Sequence, residues 1–127
     1  QNQNQNLVTK KLGTLCPGCK IWMSAVSPDR KHFAYAVKKK NGKYVLFLDG
    51  KEEKRYDWVD DLTFSPDSQH FAYVADEGVV LDGKEGKKYD WVGYLTFTPN
   101  SQHFVYEAEE GNKRFVVLDG KEGKKYD

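Results

Sequence analysis

The chain has 127 residues, enough for one domain with a sizeable core. Its 20 Lys and Arg against 19 Asp and Glu leave a formal charge of +1, which excludes a bulk field that would draw in nucleic acid or an anionic membrane surface. No run of about 18 apolar residues occurs, so no helical membrane span is expected, and an aromatic content of 14% beside one Met and two Cys suits a sheet protein.

Residues 1–20 read as an N-terminal tail. Gln1 to Asn6 alternate Gln and Asn, a low-complexity stretch that suits either a loose tail or a polar ladder between chains. Asn6 to Leu12 reads as a strand with no unit of its own, able to add to the sheet edge of a neighbouring molecule. Cys16-Pro17-Gly18-Cys19 has the spacing of a redox pair, half of a zinc site or a small disulfide loop. A structural zinc takes about four ligands, so a metal on Cys16 and Cys19 would require two chains. Haem attachment wants His after the second Cys, where Lys20 stands, and a thioredoxin-type motif wants a strand-to-helix junction that the following residues do not offer.

From residue 21 the chain repeats itself. The first unit, residues 21–57, opens on a strand at Ile21 to Val26, turns at Ser27-Pro28-Asp29, and continues through His32 to Tyr35 to Leu48-Asp49-Gly50-Lys51-Glu52 and Arg55-Tyr56-Asp57. The second, residues 58–90, begins at Trp58-Val59 and gives the same signals in the same order: Ser65-Pro66-Asp67, His70 to Tyr73, Leu81-Asp82-Gly83-Lys84-Glu85 and Lys88-Tyr89-Asp90. The third, residues 91–127, begins at Trp91-Val92 and gives Thr98-Pro99-Asn100, His103 to Tyr106, Leu118-Asp119-Gly120-Lys121-Glu122 and Lys125-Tyr126-Asp127. The Asp of the Asp-Gly pair recurs at intervals of 33 and 37 residues, within the range of repeat architectures.

Within the third unit, Trp91 to Phe97 is an aromatic and β-branched run closed by a Pro-containing turn, which predicts a strand. His103 to Ala108 places Phe104, Tyr106 and Ala108 on one face by period two, and Glu110-Gly111-Asn112 supplies the reversal. Arg114 to Leu118 makes a third strand, Asp119-Gly120 suits the positive φ angles of a two-residue hairpin turn, and the polar Lys121 to Tyr126 makes a fourth. Asp49-Gly50 and Asp82-Gly83 have the same role in the other units. The expectation is an all-β chain of three four-stranded antiparallel units, apolar in the first three strands of each and polar in the last.

The unit resembles the TolB-type, WD-like β-propeller repeat, in which a strand ends in Ser-Pro-Asp-Gly-Lys and an Ile-Ala-Tyr strand follows; here it reads Phe64-Ser65-Pro66-Asp67-Ser68-Gln69-His70-Phe71-Ala72-Tyr73. The resemblance spans residues 21–127, with Arg30, Ser68 and Ser101 where the family has Gly and Asn100 where it has Asp. It implies three propeller blades, with Pro28, Pro66, Pro99, Tyr35, Tyr73, Tyr106, Trp58 and Trp91 as repeat structural residues. A closed propeller needs about 4 to 8 blades, so three leave two blade faces bare. Because TolB-like propellers have six blades, the resemblance suggests two chains closing one ring, and a filament where the rotation does not close.

The resemblance to a periplasmic family and the Gln start point to an extracytoplasmic location, where a Cys16 to Cys19 disulfide is the economical reading. The family commonly has Arg or Lys where His32, His70 and His103 stand, which makes them solvated strand-start residues rather than metal ligands. Asp57, Asp90 and Asp127 read as turn caps. The functional expectation is a non-enzymatic module for protein–protein interaction, with itself or another protein as partner, without cofactor or nucleic acid. The alternatives are a structural subunit of an extracellular filament and a fragment of a larger propeller accessory to an enzyme.

Overall fold

A computed structural model describes residues 17–127; the expected orphan strand at Asn6 to Leu12, the Gln-Asn stretch and Cys16 lie outside them. The described residues form twelve strands in three four-stranded antiparallel sheets, each built from consecutive strands, with no helix. The first sheet is β1 (Lys20–Val26), β2 (Phe33–Lys38), β3 (Tyr44–Leu48) and β4 (Lys51–Tyr56). The second is β5 (Val59–Phe64), β6 (Phe71–Ala75), β7 (Gly78–Leu81) and β8 (Lys84–Lys88). The third is β9 (Trp91–Phe97), β10 (Phe104–Glu110), β11 (Lys113–Leu118) and β12 (Lys121–Glu122).

Each sheet follows from local chemistry. Asp-Gly pairs close the β3–β4, β7–β8 and β11–β12 hairpins with both residues at positive φ, between 49° and 84°, a twist that matches the strands they join. Ser-Pro-Asp and its variant close the β1–β2, β5–β6 and β9–β10 hairpins: Arg30, Ser68 and Ser101 each donate their N–H back to Ser27, Ser65 and Thr98. These three residues sit at φ 61–64° in place of Gly, and the turn keeps its form in all three units.

Period-two alternation then decides which side chains meet. In β2, Ala34 and Ala36 pack with Leu46 against Phe71, Tyr73, Ala75 and Val80 of the second sheet. In β6 and β7, Ala72, Val74 and Val79 turn the other way, onto Phe104, Tyr106, Ala108, Phe115 and Val117 of the third. The middle sheet is therefore covered on both faces, and β6 is buried along its whole length. The edge strands β4 and β8 are polar and exposed except for Tyr56, a composition that discourages edge pairing.

Two expectations are corrected. The fourth strand of the third unit, predicted over Lys121 to Tyr126, is regular only at Lys121–Glu122; Tyr126 rejoins the sheet through one bridge to Arg114. Tyr56 and Tyr89, its counterparts, pack on the sheet that follows them, and among the described residues no following sheet holds Tyr126. Second, the first sheet's outward face is not bare at its centre. On the first sheet's outward face Tyr35, Val37 and Val45 are 6%, 1% and 2% exposed, in a cluster with Cys19, Ile21, Phe33 and Phe47.

Candidate interaction surface

The three repeated histidines are engaged rather than merely solvated. Nδ1 of His32, His70 and His103 lies 2.8, 2.7 and 2.6 Å from an oxygen of Asp49, Asp82 and Asp119. The other oxygen of each Asp accepts the N–H of Phe33, Phe71 or Phe104, at 2.8–2.9 Å. One carboxylate thus clips the start of the second strand of each sheet to the turn after its third. The hydrogen bond from His103 holds the Asp119 carboxyl below the usual carboxylate range. Sequence reasoning missed this pairing, although the constant company of one His and one Asp in every unit is its signal.

The Ser-Pro-Asp turns join one sheet to the next. Ser27 and Ser65 donate to Asp29 and Asp67 at 2.6 Å, which lowers both carboxyl pKa values. The N–H of Asp29 in turn donates to the Ser68 hydroxyl of the next unit at 2.9 Å, and that of Asp67 to Ser101 at 3.0 Å. Ser68 and Ser101 are buried, whereas Arg30, their counterpart in the first unit, is exposed. At the equivalent place in the third unit, no such hydroxyl meets the N–H of Asn100 among the described residues.

The fourth strands repeat the same unit-to-unit direction. Lys54 reaches Glu85 at 2.6 Å and Lys87 reaches Glu122 at 3.0 Å. Tyr56 meets the hydroxyl of Tyr73 at 3.0 Å, and Tyr89 donates to Glu122 at 2.8 Å while packing edge-on against Phe115. Burial pushes both Tyr73 and Tyr89 well above the usual phenol range. In the third unit Lys124 stacks over its own Tyr126, which is 60% exposed.

Glu122, held by the Tyr89 hydroxyl and then by Lys87, has its pKa drawn from 4.5 down to about 2. Its folded value lies below its unfolded one, so its contribution is complete above pH 4.5 and is lost as pH falls from there to about 2. Glu122→Gln is expected to flatten the acid limb of stability over that window, measured as urea midpoints at successive pH values. An unchanged acid limb would show that Glu122 does not link the second and third sheets.

Beyond these junctions lies the third sheet's outward face. Val116 and Leu118 are 45% and 47% exposed, and Val116 lines an open depression of about 890 Å³ with Glu107, Glu109, Arg114 and Tyr126. Glu109 pairs with Arg114 across the strands, and Lys113 with Asp127 at the rim. At the same register, the first sheet carries Ala36 and Leu46 and the second Val74 and Val79, all buried against a neighbour.

The remaining residues singled out from the sequence are scaffolding. Trp58 packs edge-on against Trp22 and Tyr44, and the Trp22 indole N–H donates to the Val59 carbonyl at 2.8 Å, tying the first two sheets along their inner strands. Trp91 lies against Tyr94, and its ring covers Gly93 so closely that a Cβ there would come within 2.5 Å of it. Asp57 pairs with Lys43, and Asp90 caps the N–H of Gly111 at 2.8 Å. Cys19 is disulfide-bonded. No group of three or more metal-ligating side chains occurs among the described residues, and no helix among them is long and apolar enough to cross a membrane. No protein-family model matches the chain, and comparison with curated proteins finds no match either.

Proposed function

We propose that the chain is a non-enzymatic β-propeller-type module for protein–protein interaction, with its three sheets as consecutive blades and the outward face of the third as its contact surface. The observation that carries this reading is the break in the junction pattern. Ser hydroxyl, Lys–Glu and Tyr contacts link the first sheet to the second and the second to the third, then stop at a face that leaves Val116, Leu118 and Tyr126 in solvent. Exposed apolar side chains gathered on one face mark a partner surface. The repeated His, Asp, Ser and Tyr side chains are occupied in turns and junctions, which suits a scaffold rather than a reaction site. The disulfide at Cys19 suits an extracytoplasmic setting.

A head-to-tail ring or filament is the second reading. Glu52 holds the place in the first unit that Glu85 and Glu122 hold in theirs, so Lys124 of another copy has a partner there. The test common to both readings is the mass of the purified chain by light scattering over a dilution series, beside Leu118→Glu. Where the chain associates with itself, the contact surface predicts a wild-type mass above one chain that falls to one chain in the variant, with the urea midpoint unchanged. An association that ignores Leu118→Glu would overturn it.

A further inference from the structure

We infer that the occupant of the third sheet's outward face is a second copy of the same face, turned over about a twofold axis parallel to the strands. This rests on reading that face as the contact surface. Side chains on β10 and β11 that point away from the core are set in facing pairs: Val105 beside Leu118, Glu107 beside Val116, and Glu109 beside Arg114. The apolar pair lies at one end of the face and the oppositely charged pair at the other.

An axis running along the strands between β10 and β11 lays each of these strands on the other strand of the second copy. Val105 then meets Leu118, Glu109 meets Arg114, and both contacts occur twice. Two stacked sheets accept this arrangement with their strands roughly aligned, about 30° apart. Glu107, which falls opposite Val116, has Arg114 and Lys124 of the other copy within the same surface to neutralise it. Two carboxylates and two cations make the face neutral in itself, so it does not repel its own copy.

The head-to-tail alternative offers Glu107 and Glu109 a poorer match. The first sheet's outward face is built around Phe33, Tyr35, Val37, Val45 and Phe47, its centre is buried, and Arg55, which the register sets beside Val45 on the edge strand, already has Glu52 at 3.7 Å. Burying a carboxylate against apolar groups without a partner is costly. A contact that uses the same face of both copies is isologous and closes at two.

The test uses charge exchange on the full chain. Arg114→Glu alone and Glu109→Arg alone place like charges at both contacts of the pair, and each is expected to weaken dimerisation at least tenfold in sedimentation velocity. An equimolar mixture of the two variants is expected to recover the dimer, because carboxylates on one chain then face guanidinium groups on the other at both contacts. Circular dichroism and urea midpoints of each variant establish that it is folded. A wild-type dimer that Leu118→Glu dissociates, but whose charge variants do not complement each other, overturns the turned-over arrangement and leaves the contact surface standing. A wild-type chain of single mass at every concentration overturns the second copy as occupant. The surface itself is then judged separately, by whether Leu118→Glu abolishes binding of an apolar fluorescent dye.

Discussion

Leu46→Ala is expected to destabilise the chain by about 2–5 kcal/mol, because it empties a fully packed position between the first two sheets. For a chain of this size the melting temperature should fall by about 10 °C or more. The informative comparison is with the same register position in the other units, since Leu46, Val79 and Val116 each stand two residues before the Leu of Leu-Asp-Gly. They are 1%, 3% and 45% exposed. Val79→Ala should cost about 2 kcal/mol by loss of buried area and the cavity left behind, and Val116→Ala no more than about 0.5 kcal/mol in dilute monomer. Urea denaturation reads all three. Equal losses at the three positions would mean that the third sheet's outward face is packed like the others, and the contact surface proposed for it would be lost.

The second large effect is expected from Asp82→Ala. This carboxylate accepts the Phe71 N–H at 2.9 Å, faces His70 at 2.7 Å, and sits at φ 50°, a conformation that Asp tolerates and Ala does not. An orphaned backbone N–H costs about 1–3 kcal/mol and the left-handed conformation about 1–2 more, for a total of about 2–5 kcal/mol. Asp82→Asn keeps an acceptor oxygen and the backbone preference, so it should cost less than about 1 kcal/mol. His70→Ala removes only a partly exposed side-chain hydrogen bond and should cost no more than about 1 kcal/mol. If His70→Ala proved as damaging as Asp82→Ala, the imidazole rather than the backbone bond would be the stabilising element of the clip.

Much of the architecture was legible because turn chemistry and period two agree in every unit. The Asp-Gly pairs announced positive φ, and the Phe-X-Tyr alternation of the second strands announced which residues share a face. The ends of strands were less legible. The third unit's last strand has the same composition as its counterparts, but its regularity depends on a neighbour that its own residues do not encode. Ser68 and Ser101 read as departures from a turn glycine, and their function as hydroxyl acceptors for the preceding sheet needs the sheets to be side by side. The buried outward face of the first sheet was likewise invisible, since Tyr35 and Val37 carry the same pattern as Tyr73 and Ala75, which another unit covers.

Each junction in this chain is divided between the two units that form it: one brings the Asp N–H, the Lys and the Tyr, and the next brings the Ser hydroxyl and the Glu. A unit of this kind carries half of the junction ahead of it and half of the junction behind. Duplicating the corresponding stretch of gene therefore inserts a new unit with both halves already matched, and no compensating change is needed in its neighbours. Such an array can grow or shrink by whole units, and the residues that need to differ are those with no neighbouring sheet among the described residues, where Arg30 stands at the position of Ser68 and Ser101 and Glu107 in the register of Ala36 and Val74.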